Sequence, residues 1–477
     1  MIKILSFSFL FLSLSVVSVK AARAAEDLSD AEEASSQKMA PPVLKLNPED
    51  AFTRTQAVLS NFGVPAEADS QPLLASFQNL QTSQGVQDLL PYFDMKNEFT
   101  QFAQISSTAL NAFQDASGFQ VPDFSATFRD DSTVLPENPL YARLRAAQNN
   151  PDDQPLQGLR IALDPGHMGS DNWDQITGKW VHDVATGRKL SEGVLNLQTA
   201  MLLETQLTQL GATVMITHRT LAPVSQQDYA AFDVHAEGLD RLREQSMLPW
   251  FQALIAQASD GPALFNLFSA SKDFQHLFAE INRGTYYNDS DLQARVDVIA
   301  AFQPDLTMMI HYDTSAPAPD QHALDPGPAG HRDGSKVYIP GAFDSTEMAS
   351  RTDRVEFAKM VLDDSPWKAS HAFAHEVVNT LSTNLGIPLE KNSPGITTQV
   401  EPGVFSRNLY LLKKYRNSAV AYVECLFYND RGEFNQIYNA THPMKIGGES
   451  HPYSDRVAQV ADSLKQGIVQ FVKKGPN

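Results

Sequence analysis

Cysteine is almost absent: Cys425 is the only one in 477 residues, so neither an internal disulfide nor a thiolate-rich structural zinc site can be built. Positive charge is scarce as well. Lys and Arg number 37 against 56 Asp and Glu, for a formal charge of −19, and without clustered cations the phosphate contacts of a nucleic-acid binder are not available. After the first twenty residues there is no uncharged run long enough to span a bilayer. What remains is an ordinary apolar share of 42%, enough to build cores for two or three domains.

The amino terminus carries Lys3, an uncharged stretch from Ile4 to Val19 and then Ala22-Arg23-Ala24. That order is a secretory signal over residues 1–24, cleaved before Ala25, and it implies a periplasmic or secreted protein. No cysteine stands near that site, which argues against lipid attachment. Residues 25–45 are acidic, Ser/Ala-rich and aperiodic, closed by Pro41-Pro42, and read as a linker. Asn47-Pro48-Glu49 opens a helix that Gly63 stops, and Phe99, Phe102, Ile105, Ala109 and Phe113 recur at helical spacing. Residues 46–150 are therefore expected to be a helical region, with these phenylalanines in its core.

After the Pro/Asn/Asp-rich stretch 149–155 the pattern changes. Apolar segments at 159–164, 213–218, 306–311, 335–340 and 420–425 alternate with helical ones near 195–210, 369–385 and 455–473. Such alternation predicts an α/β domain with a central, mostly parallel sheet flanked by helices. One connection is far too long for that rhythm. Residues 223–288 carry their own helical periodicity, with Phe274, Leu277, Phe278 and Ile281 at i, i+3, i+4 and i+7, and read as a helical insertion.

Candidate ligands fall at comparable places in the strands. His167 follows LRIALDPG, His311 ends LTMMIH, Glu424 ends AYVE, and Glu192 opens a helix. In open α/β sheets ligands bind beyond the carboxyl ends of the strands, so these residues could converge on one crevice. Two imidazoles and a carboxylate with one open position are a catalytic zinc donor set.

These blocks, DPGH at 164–167, EGVLNL at 192–197, MIH ending at His311, SRNLY at 406–410 and AYVECLFYND at 421–430, resemble the zinc-dependent N-acetylmuramoyl-L-alanine amidases of the amidase 3 type. The resemblance runs from about Leu159 to Phe471 and frames a catalytic domain over 157–473. It implies one zinc held by His167, Glu192 and His311, with Glu424 as the catalytic general base and acid. The substrate it implies is peptidoglycan, cut between N-acetylmuramic acid and L-alanine in wall remodelling or daughter-cell separation. A zinc peptidase acting on stem peptides and a non-catalytic wall-binding or regulatory protein are the alternatives on the same scaffold. As in some relatives of that family, the insertion could cover the crevice until a regulatory protein displaces it.

Other residues carry open readings. Asp164 could orient His167 or stabilise its turn, and Arg407 could meet a substrate carboxylate or form a surface ion pair. Three positions depart from the family pattern: Met168, which could narrow the crevice mouth, Asp313, which adds negative charge near the metal, and Leu426. Trp173, Trp180 and His182 are expected in a loop beside the cleft. His371 and His375 stand at i, i+4 without the HExxH order of a metalloprotease, and read as helix surface or packing. His218 reads as structural or rim, and Cys425 as a small buried hydrophobe.

Overall fold

The computed structural model describes residues 82–94, 99, 103–112, 124–129, 138–169, 173–174, 177, 179–225, 290–315, 322–325, 334–343, 351–391, 397–415 and 417–475. All belong to one unit made of 69–227 and 287–477; the other, 1–68 with 228–286, lies outside them. The signal segment, the linker, the helix stopped by Gly63 and nearly all of the insertion are therefore outside the described residues.

In chain order the elements are α1 (Ser83–Phe93), β1 (Ala103–Ile105), β2 (Ala109–Ala112), β3 (Phe124–Thr127), α2 (Pro139–Ala147), β4 (Arg160–Pro165), β5 (Trp180–Asp183) and β6 (Arg188–Ser191). They continue with α3 (Glu192–Gln209), β7 (Thr213–Ile216), α4 (Leu292–Phe302), β8 (Leu306–Asp313), β9 (Lys336–Pro340), α5 (Arg351–Leu362) and α6 (Ser365–Leu385). The carboxyl-terminal part holds β10 (Thr398–Glu401), β11 (Val404–Arg407), β12 (Ala419–Phe427), α7 (Arg431–Tyr438), β13 (Lys445–Ile446), β14 (Glu449–Ser450) and α8 (Asp455–Lys474). None of the described helices is long and apolar enough to cross a membrane.

Seven strands form the central sheet in the order β10-β11-β9-β12-β8-β4-β7. β7, β4, β8 and β12 pair in parallel, and β11 pairs in parallel with β9. The segment expected as a further parallel strand, β9, runs antiparallel to β12. Both faces are buried, and each strand divides its side chains between them with the pleat's period of two. Met308, Ile310 and Tyr312 of β8 and Ala421, Val423 and Cys425 of β12 face the larger core with Phe373, Val377 and Leu381 of α6 and Val460, Leu464 and Phe471 of α8. Met309 and Val420 face a smaller core with Leu292 and Ile299 of α4. Full burial of each large side chain contributes roughly 1.5–3 kcal/mol. His311 and Glu424 therefore share the second, more thinly covered face.

Helix ends follow the sequence. Asn138 accepts from the Leu140 N–H ahead of α2 with Pro139 at its first position, Asp430 accepts from Gly432 and Glu433, and Ser454 accepts from Val457.

Among its described residues, the amino-terminal region is helical only in part. Where Phe99 to Phe113 suggests a helix, the structure has β1 and β2 in an antiparallel sheet with β3. The reason is local: the Ser106 hydroxyl accepts from the Thr108 and Ala109 N–H groups, so the polar Ser-Ser-Thr segment closes a turn that a helix would have to run through. Phe102 and Phe113 lie outside the described residues. Val86, Leu89, Phe93, Phe99 and Leu110 join the same hydrophobic cluster as the sheet.

Candidate metal centre

β4 ends in Pro165 and delivers His167 at φ 61°, a left-handed conformation that costs a non-glycine residue about 1–2 kcal/mol. Arg295 of α4, 1% exposed, holds this turn. It donates to Asp164 Oδ1 at 2.8 Å, to the Pro165 carbonyl at 2.6 Å and to the His167 carbonyl at 3.1 Å, while its Nε binds Asp291 at 2.8 Å. The Thr217 hydroxyl donates to the same Asp164 oxygen at 2.6 Å. Asp164 thus ties the turn to Arg295 and Thr217, which favours the turn reading. The neighbouring His218 is buried beside Thr217, matching the structural reading.

Two glycines make the close approach possible. A Cβ on Gly166 would fall within the His311 imidazole, and one on Gly193 would fall on the Met168 carbonyl. Without them, α3 could not set its first residue, Glu192, against the strand ends. The Asn196 amide donates to the Gly166 carbonyl at 2.8 Å, and the Thr199 and Tyr312 hydroxyls are bonded at 2.8 Å, which locks α3 onto the loop and onto β8. Met168, 1% exposed, packs inside instead of narrowing the crevice mouth.

His167 Nε2 lies 3.2 Å and His311 Nδ1 3.0 Å from Glu192 Oε1, and the two imidazoles meet edge to face at 4.7 Å. Among the described residues these three form the only group whose donor atoms could hold a metal ion, all within 4.8 Å of one another. Burial pushes both imidazoles down, His311 to about 4, so they are neutral donors. Burial works against the Glu192 charge, but His167, Lys179 and the histidine hydrogen bonds hold its carboxyl well below the usual range. Two neutral imidazoles and an ionised carboxylate fit a divalent cation.

Glu424 stands directly across β12 from His311 of β8 and from Lys336 of β9, so all three point to one side of the sheet. Its Oε2 is buried with no hydrogen-bond partner. Burial, then the charges of Asp313 and Glu192, push its carboxyl well above the ordinary range against the pull of Lys336 and Lys179. Asp313 does not stand as a bare charge: the Lys336 ammonium, 2% exposed, sits 2.5 Å from it. Lys179 Nζ lies 3.8 Å from Glu192 Oε2.

Aromatic rings continue the site away from the His-Glu-His cluster. Tyr422 stacks on His311 at 4.2 Å, Tyr338 meets Tyr422 at 5.9 Å, and the Arg407 guanidinium lies over Tyr338 at 5.1 Å. Lys179, Lys336, Tyr338 and Tyr422 were not singled out in the sequence. A charged residue inside the apolar run KVYIP is the one signal that marked Lys336, since a lone buried lysine demands a partner.

Trp180 and His182 lie in the β5–β6 hairpin, not in a loop, and Trp180 stacks on His322 at 4.1 Å. His371 and His375 both approach Glu401 Oε1, at 3.5 and 2.8 Å, on the edge of the domain. Burial pushes the Cys425 thiol well up and leaves it an inert core group.

No model of a known protein family matches the chain. A stretch of 112 residues, 22% of the chain, is 32% identical to a probable cell wall amidase, LytH, of Staphylococcus saprophyticus, and spans 36% of that protein's length. Among solved structures the chain is similar to the CwlD amidase of Clostridioides difficile, solved in complex with the GerS lipoprotein (12% identity, 67% of this chain, 100% of that chain, TM-score 0.33). It is also similar to the N-acetylmuramyl-L-alanine amidase Ami1 of Mycobacterium smegmatis (13% identity, 67% and 99% coverage, TM-score 0.34). The chain is thus similar to a probable cell wall amidase over that stretch of sequence, and the solved structures it is similar to are amidases.

Proposed function

We propose that this domain hydrolyses peptidoglycan at the amide between N-acetylmuramic acid and L-alanine of the stem peptide, with one zinc ion held by His167, Glu192 and His311. The observation that carries the reading is the buried His-Glu-His cluster with the unpartnered Glu424 carboxylate on the adjoining strand. Zinc bound there supplies Lewis-acid polarisation of the scissile carbonyl and a more acidic water.

The chain's own groups do the rest. Glu424 Oε2 is free to take a proton from the attacking water, and its raised proton affinity lets it keep that proton until the leaving nitrogen accepts it. Lys336 pairs with Asp313 and offsets part of the repulsion that this acid exerts on the base. The β6–α3 junction holds Glu192 in place, and Arg295 keeps the His167 turn rigid. A wall substrate agrees with the reading of residues 1–24 as a secretory signal, hence with a periplasmic or secreted enzyme of wall remodelling.

Incubation of the purified protein with sacculi, with and without a chelator, tests this by mass analysis of the released fragments. Stem peptides beginning at L-alanine, released only while zinc is present, are expected. Fragments cut within the stem, or full activity after zinc removal, would overturn the reading.

A further inference from the structure

Ion pairing around the centre leaves one cation, Arg407, and one carboxylate, Glu424, over. Three carboxylates, Glu192, Glu424 and Asp313, face three cations, Lys179, Lys336 and Arg407. Lys179 is taken by Glu192 at 3.8 Å and Lys336 by Asp313 at 2.5 Å. Arg407, half-buried at the end of β11, has no carboxylate partner among the described residues. This is not the surface ion pair that its position in the sequence also allows. In a chain of net charge −19, an unpaired guanidinium beside a candidate active site is costly to place and useful only toward an anion.

Its setting favours recognition over packing. The Tyr338 ring lies under the guanidinium at 5.1 Å, a contact that fixes the plane of the group while leaving its N–H fork unused. Tyr338 is itself held against Tyr422, and Tyr422 against His311, so the guanidinium is referenced to the metal ligands through three ring contacts. The Arg407 and Lys179 charges also act on one another. The ring contacts therefore place the cation on the sheet face that carries His311, beside the candidate centre.

We infer that Arg407 binds a carboxylate on the stem peptide, and that the site selects stems carrying the free acid over stems in which it is amidated. This inference rests on the amidase reading. A stem offers two such groups near the scissile bond, the free carboxylate of its second residue, glutamate, and that of a diamino acid at the third position. Both present the planar anion that a guanidinium fork grips with two parallel hydrogen bonds.

The test uses the full chain and four synthetic N-acetylmuramoyl peptides: free at both positions, amidated at the second only, at the third only, and at both. The wild type should prefer the free acid at one of the two positions by roughly tenfold or more in kcat/KM, mostly through KM. In Arg407→Met that preference should fall to near one, and Arg407→Lys should restore part of it through charge without the fork. Equal cleavage of all four by the wild type, or a preference that survives in Arg407→Met, overturns the inference. Cleavage of the fully amidated peptide at the lactyl–alanine amide upholds the amidase reading in that event. No cleavage of any of the four overturns both.

Discussion

The His311 imidazole occupies the space that a side chain on residue 166 would need. The turn after β4 and the end of β8 approach so closely that one backbone position must be glycine, and the proposed metal centre depends on that approach. Gly166→Ala is expected to push His311 away from Glu192 and to weaken zinc binding by about 10–100-fold, the scale seen when ligand orientation is lost. Calorimetric zinc titration, with far-UV circular dichroism to confirm the fold, measures it. Wild-type affinity in a folded variant would count against the geometry.

Glu424→Gln keeps the volume and removes the proton acceptor. Turnover on sacculi should fall by roughly 10²–10⁴-fold, while zinc content stays at that of the wild type, because Glu424 lies outside the His-Glu-His group. A variant that loses zinc together with activity would reassign Glu424 from base to ligand.

Arg295 is buried with Asp164 and Asp291 as its ion pairs. Arg295→Met leaves two carboxylates without their cation in the interior and should cost about 3–5 kcal/mol. Urea unfolding reads this as a lowered midpoint at unchanged slope. A shift no larger than that of a surface substitution would contradict the clamp.

Acid should destabilise the fold through His218. Burial, reinforced by the Arg295 charge, holds its imidazole well below the ordinary value. As pH drops through about 6.5 the unfolded chain takes up a proton that the folded chain refuses, so this group lowers the unfolding free energy by about 1.4 kcal/mol per pH unit. Its contribution is fully present above that pH. His218→Asn should flatten the dependence of urea midpoint on pH between 6.5 and 5, and an unchanged slope would refute the assignment.

Much of this was legible in the chain because it is local. LRIALDPGH shows a buried strand broken at Pro-Gly, LTMMIH and AYVEC end in polar residues after apolar runs, and EGVLNL opens a helix, so the elements and the places of His167, Glu192, His311 and Glu424 follow from periodicity and turn chemistry. The helical spacing of Phe99 to Ala109 misled for the same local reason, since the short polar turn at Ser106 outweighs the spacing of the phenylalanines.

What the sequence by itself determined is the inventory: an α/β domain, and the residues proposed here as a thiolate-free donor set and as base. Tertiary structure alone decided the pairings. That Lys336 pairs with Asp313, that Arg295 ties α4 to the His167 turn, and that Arg407 is left without a carboxylate partner among the described residues are contacts between residues far apart in the chain. Strand register and helix docking set those distances, and no spacing along the sequence encodes them.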